Sequence, residues 1–156
     1  MARLVRTTGI RNERGQSLVE LALVAPIFFA LLLGAVEMGR FAYEYIEVYN
    51  AARAGVAYGA QSPVTAIDLS GMELAAKNDA ENLSNLTANA PPPFCSCSGA
   101  ESTHVDCASA QTICAGSHAL SYVQVNTTAA FSPLIPYPLI PSSINLNGTA
   151  IMRVQD

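Results

Sequence analysis

Five side chains in this sequence have the type and placement to do chemistry. Four are cysteines, Cys95, Cys97, Cys107 and Cys114, gathered within twenty residues. An even, clustered set of thiols reads as a disulfide framework in an oxidising compartment. The rival is zinc, since His104 and His118 lie close by. The "CSC" spacing is not the Cys-x-x-Cys knuckle, however, and the other spacings match no zinc ribbon or finger. Cys95 and Cys97 are then each expected to bond Cys107 or Cys114, with the connectivity left open. The fifth is Glu20, a carboxylate inside a run that is otherwise apolar or small from Leu18 to Val36. A charge in hydrocarbon is costly, which by default marks a functional group with a partner to be named. Known catalytic constellations are missing. The sequence has no G-x-S-x-G elbow, no phosphate-cradling glycine loop and no H-E-x-x-H. His104 and His118 sit in polar, turn-like surroundings and read as solvent-facing. The pattern points to no enzyme, no cofactor and no resident metal.

The elements that must position these groups begin with the apolar run. Leu18–Val36 spans about 28 Å as a helix, enough to cross a hydrocarbon core of about 30 Å. Pro26 within it deletes one backbone hydrogen bond, which membrane helices tolerate. A secretory signal peptide has the same general layout, but this run exceeds the usual apolar region and no clear A-x-A site follows it. Charge is unevenly spread. Residues 1–15 carry Arg3, Arg6, Arg11 and Arg14 against Glu13, a net of +3. Residues 16–156 carry Arg40, Arg53, Lys77 and Arg153 against 11 acids, a net of −7. A basic tip on an acidic body argues against nucleic acid as a partner. It fits a bilayer-spanning protein whose N-terminus stays in the cytoplasm.

The helix is expected to start at "SLVE", with Ser17 as its cap and Glu20 as the capping-box partner. It continues without proline to Ala60. Met38, Phe41, Tyr45, Val48 or Tyr49, Ala52 and Val56 recur at helical spacing, giving an amphipathic second half over 37–60. Small residues crowd its end: Ala51, Ala52, Ala54, Gly55, Ala57, Gly59 and Ala60. They let another backbone approach closely, and packing on the chain's own sheet is the expected use. A second, short helix is expected from Ser70, with Glu73 completing a capping box, Leu69 and Leu74 forming a hydrophobic staple, and Met72, Ala76, Leu83 and Leu86 as its apolar stripe. "APPPF" (Ala90–Phe94) should end the helical region. Two alternating segments read as half-buried antiparallel strands: Val123, Val125, Thr127, Ala129 and Phe131 share one face, and Ile144, Leu146, Ala150, Met152 and Val154 share another. Between them stands "SPLIPYPLIP". Leu134, Ile135, Tyr137, Leu139 and Ile140 are many large apolar groups for a loop, so they must cover either the core or a partner. Asn82, Asn85, Asn126 and Asn147 each open an N-x-Ser/Thr triplet, which matters only in a secretory-pathway host. The expected class is α+β.

"RGQSLVE" (Arg14–Glu20) resembles the processing site of type IV prepilin-like proteins. The longer stretch "RGQSLVELALVAPIFFALLLGAVEMGRFAYEYIEVYNAARAGVAYGA" is similar to the TadE-like family, minor pilins (pseudopilins) of the tight-adherence, or Flp, pilus. The shared elements are the head, Pro26, "EMGR" (Glu37–Arg40) and "NAARAG" (Asn50–Gly55). The "AIMRV" ending is weakly similar, and the cysteine-bearing middle is not. The resemblance implies a pilin-like fold, with a long transmembrane helix running into a small soluble α+β domain. It implies a leader over 1–15, a helix over 16–60 and a periplasmic domain over 61–156 that holds a disulfide-rich segment at 94–114. It further implies cleavage between Gly15 and Gln16 by a prepilin peptidase. Partners would be other minor pilins, the major pilin, the inner-membrane assembly platform and the lipid bilayer. Glu20 would face the new amine of Gln16 in a neighbouring subunit. Two other classes stand beside this one: a membrane-tethered periplasmic adhesion module, and an unrelated bitopic envelope protein.

Overall fold

A computed structural model of the chain describes residues 13–135 and 141–155. The first helix, α1, runs from Glu13 to Gly59. Three short helices follow it among the described residues: α2 (Pro63–Ala66), α3 (Leu69–Asp79) and α4 (Ala110–Ile113). Five strands are present among the described residues: β1 (Thr87–Asn89), β2 (Phe94–Cys97), β3 (Ala100–Val105), β4 (Ala119–Phe131) and β5 (Ile144–Arg153). The class is α+β, as the sequence pattern indicates. The chain divides into two compact units, Met1–Met38 and Gly39–Asp156, with the break inside α1.

The start of α1 differs from expectation. Glu13, Arg14 and Gln16 are good helix formers and nothing among them stops a helix, so α1 begins before Ser17. Ser17 therefore stands inside the helix and is not its cap. Within the first unit every large apolar side chain from Leu18 to Val36 is exposed, and α1 is long and apolar enough to cross a membrane.

In the second unit, β4 is the organising strand. β5 pairs antiparallel along most of it, from Tyr122 opposite Arg153 to Phe131 opposite Ile144. Its other edge is shared by β1, at Asn126–Thr128, and by β2, at Ala119–Tyr122. β3 lies outside β2. Val123, Val125, Thr127, Ala129 and Phe131 form the buried face of β4 and pack on the second half of α1. The ambiguity in the amphipathic stripe resolves in favour of Val48, which is fully buried, whereas Tyr45 and Tyr49 are exposed. Small residues set the packing distance: Ala51, Ala52, Gly55, Gly59 and Ala60 are all buried there. The Thr127 hydroxyl, itself buried, donates to the carbonyl of Val48 at 2.6 Å and ties sheet to helix. Phe41 meets Phe131 edge to face at 5.4 Å, at the other end of the same interface.

The second capping expectation also fails, for a local reason. Asp68, not Ser70, caps α3, and its carboxylate accepts from the amide of Gly71 at 2.9 Å. An acid one residue upstream of Leu69 reaches the free amides first. Glu73 instead accepts from the amide of Ala90 at 3.2 Å, and Leu74 is exposed, so no staple forms with Leu69. The capping box that does form belongs to α2, between Ser62 and Thr65. Helix α3 stops at Asp79, well before the prolines, and Leu86 is buried outside any helix. On β5, Met152 was expected on the core face but remains 41% exposed.

Candidate functional site

The head of α1 places Gly15 and Gln16 side by side and Glu20 one turn further along the same helix. The Gln16 amide donates to the Glu20 carboxylate at 3.2 Å, one turn apart and exposed. Glu20 is thus engaged with residue 16 of its own chain rather than with Ser17. Nothing in the local structure demands a glycine at position 15. An added Cβ there would meet no atom within 4 Å, and among the described glycines only Gly99 and Gly116 have positive φ.

The cysteine segment is built on β2. Cys95 and Cys97 are alternate residues of this strand, so their side chains leave it on one side. Opposite them the chain returns through β3 and α4. Cys95 is bonded to Cys107, with Cα atoms 4.9 Å apart, and Cys97 to Cys114, at 5.3 Å. No described cysteine is free. The two bridges pin α4 and its flanking turns to β2, a segment with little apolar burial of its own. The histidines take no part. His104 stacks on Phe94 at 3.9 Å between centroids, and Phe94 lies parallel to Tyr122 at 5.6 Å. Among the described residues no three His, Cys, Asp or Glu side chains are grouped to hold a metal ion.

Of the apolar loop residues, Leu134 is exposed and Ile135 half-buried. Tyr137, Leu139 and Ile140 lie outside the described residues.

One polar cluster escaped the sequence reading. The Tyr58 hydroxyl donates to Asp68 at 2.8 Å, joining the last turn of α1 to the start of α3. The Gly71 amide, this hydroxyl and Ser70 together hold the Asp68 carboxyl below its ordinary pKa, while the neighbouring carboxylate pushes Tyr58 up. The Tyr43 hydroxyl is likewise raised by Glu47. The Tyr58–Asp68 bond is a surface tie between elements, and the Tyr43–Glu47 interaction lies within α1. The sequence clue was the acid just before "LSGMEL", which is a capping signal.

A helix long and apolar enough to span a bilayer, followed by a small disulfide-bonded antiparallel sheet, makes an α+β protein with a candidate membrane anchor at its N-terminal end. Residues 15–57 match the family model described as TadE-like protein, the family that the head of the chain resembles. That family is associated with tight-adherence pili and is in general non-enzymatic. No curated protein and no solved structure matches the chain.

Proposed function

We propose that this chain is a minor pilin, or pseudopilin, which is processed at the bacterial inner membrane and helps to initiate or join a tight-adherence pilus that supports surface adhesion. The observation that carries the reading is the extent of the family match. It begins at Gly15, the residue before the proposed cut, and takes in Glu20, Pro26, Glu37–Arg40 and Asn50–Gly55. The basic tip and the membrane-length helix support an N-terminus in the cytoplasm and a domain in the periplasm. Two disulfides suit that compartment.

Processing is hydrolysis of the Gly15–Gln16 peptide bond. Water adds across it, leaving a carboxylate on Gly15 and an ammonium group on Gln16. A prepilin peptidase needs a small residue at the cut, which accounts for a glycine that packing does not require. The new cation then lies one helical turn from a carboxylate, at a depth where each charge needs an opposite one. In an assembly, Glu20 of one subunit neutralises the Gln16 amine of the next. The partners are the prepilin peptidase, the major pilin, other minor pilins, the assembly platform and the lipid bilayer.

Intact-mass measurement of the protein from cells with an active pilus system tests this. The expected species begins at Gln16, and Gly15→Val leaves the uncut precursor in the membrane. A wild-type protein that retains residues 1–15 there overturns the reading.

A further inference from the structure

The second unit has two ends, and the contacts along α1 assign residues to each. Phe41 meets Phe131, the Val48 carbonyl accepts from Thr127, Gly55 lies against Val125 and Gly59 against Val123. α1 and β4 therefore run antiparallel, and β4 finishes at the end where α1 enters the unit. β5 starts at the same end, with Ile144 opposite Phe131. At the other end the Ala60 carbonyl accepts from the amide of Gln155 at 2.9 Å, and α2 follows at Pro63.

Residues 132–135 leave β4 at the entry end. Leu134 is 70% exposed while Ile135 beside it is half-buried, so the turn sends one aliphatic side chain inward and its neighbour outward. Pro133 has no amide hydrogen, which leaves the turn one donor fewer to keep hydrated. On α1, Tyr43 and Tyr45 are 55% and 49% exposed, and residues two apart leave a helix in nearly opposite directions. The Tyr45 ring stacks on Phe41 at 6.5 Å, and the Tyr43 hydroxyl accepts from Asn82 at 3.0 Å. Each phenol joins an apolar body to a polar tip, the form enriched where a membrane meets water.

We infer that the entry end of the second unit rests on the lipid surface, with Leu134 inserted between headgroups and acyl chains and Tyr43 and Tyr45 at headgroup level. The inference rests on the bilayer anchor of the proposed function, and the chain itself names the occupant. The apolar run stops at Val36, five residues before Phe41. Five residues span about 8 Å at helical rise and about 18 Å even when fully extended. The headgroup zone is about 5–8 Å deep on each side of the hydrocarbon, so the tether holds this end against it. Exposure alone does not select lipid. Val64 and Ile67 are as exposed as Leu134, but they follow Ala60, about 28 Å further along α1 than Phe41. Ionic attraction does not hold the contact either. Arg40 is paired with Glu44 at 3.4 Å and lies over the Phe131 ring, so it brings no surplus positive charge. The contact is apolar and aromatic, and anionic lipid should not strengthen it.

The test uses the full chain in phosphatidylcholine nanodiscs. The sequence contains no tryptophan, so each variant carries a single one. Leu134→Trp is the probe, Phe29→Trp marks the span and Val64→Trp the far end. All three replace exposed side chains and should melt like the wild type. Brominated acyl chains are expected to quench most of the Leu134→Trp emission and to leave Val64→Trp bright, while soluble acrylamide does the reverse. Added phosphatidylglycerol or salt should change neither result. Quenching of Phe29→Trp by bromolipid without quenching of Leu134→Trp overturns the inference and leaves the anchor in place. A Leu134→Trp shielded from both quenchers would put protein over the turn and overturn it equally. If Phe29→Trp itself is unquenched, the anchor reading falls and the inference falls with it.

Discussion

The packing of α1 on the sheet turns on Gly55, which lies where the helix approaches both β4 and α3. A Cβ added there would stand 2.9 Å from the backbone carbonyl oxygen of Met72 and 3.1 Å from both methyls of Val125. Neither neighbour can yield cheaply. One is the backbone of α3, and the other belongs to a fully buried side chain. Forcing a methyl into such a contact costs about 1–3 kcal/mol. Opposing this, alanine is the better helix former by about 1 kcal/mol. Because the nearer neighbour is backbone, the upper part of that range, about 2–3 kcal/mol, applies; less the propensity gain, Gly55→Ala is expected to destabilise the second unit by about 1–2 kcal/mol, a fall of roughly 4–8 °C in Tm. Gly39→Ala is the matched control, since a Cβ there would meet nothing within 4 Å. Only the propensity gain operates at that position, so Tm should hold or rise. The assay is thermal unfolding of the full chain in detergent, followed by tyrosine near-ultraviolet circular dichroism. All six tyrosines lie after Gly39, so the signal reports the second unit. If Gly55→Ala melts at or above the wild-type temperature, the close approach of α1 to Val125 and Met72 is wrong.

Three further outcomes are expected. Asp68 has a depressed pKa in the folded state, so its contribution is present above the ordinary carboxylate range and is lost as pH falls through the folded value. Between pH 5 and 3, Tm of the wild type should therefore fall more steeply than that of Asp68→Asn, and parallel curves would refute the role given to this carboxylate. Peptide mapping under non-reducing conditions should recover Cys95 linked to Cys107 and Cys97 linked to Cys114, and removing either bridge should cost about 2–4 kcal/mol; free thiols or the swapped pairing would contradict the structure. Glu20→Gln keeps the side chain's shape but removes its charge, so the variant should insert and be cut after Gly15 yet fail to pull down the major pilin. Full recovery of that pull-down would remove the case for an intersubunit ion pair.

The sequence by itself determined the features that depend on local composition and period. Nineteen residues, apolar or small except Glu20, specify a membrane-length helix whatever follows them. Strict alternation in "SYVQVNTTAAF" and "INLNGTAIMRV" specifies two strands, because period two fits only an extended backbone with one face buried. The head motif led to the TadE-like family directly. Caps were less legible. Ser17 and Ser70 both precede a suitably spaced glutamate, but a cap works only where a helix starts. The chain is already helical at Glu13, upstream of Ser17, and α3 is started by Asp68. Only the tertiary structure decided which small residues of α1 meet the sheet, the pairing of the four cysteines, and the strands β1, β2 and β3. Those strands are three to six residues long and carry no clear alternation; β1 and β2 exist by pairing with β4 across long stretches of sequence, and β3 by a tight hairpin with β2.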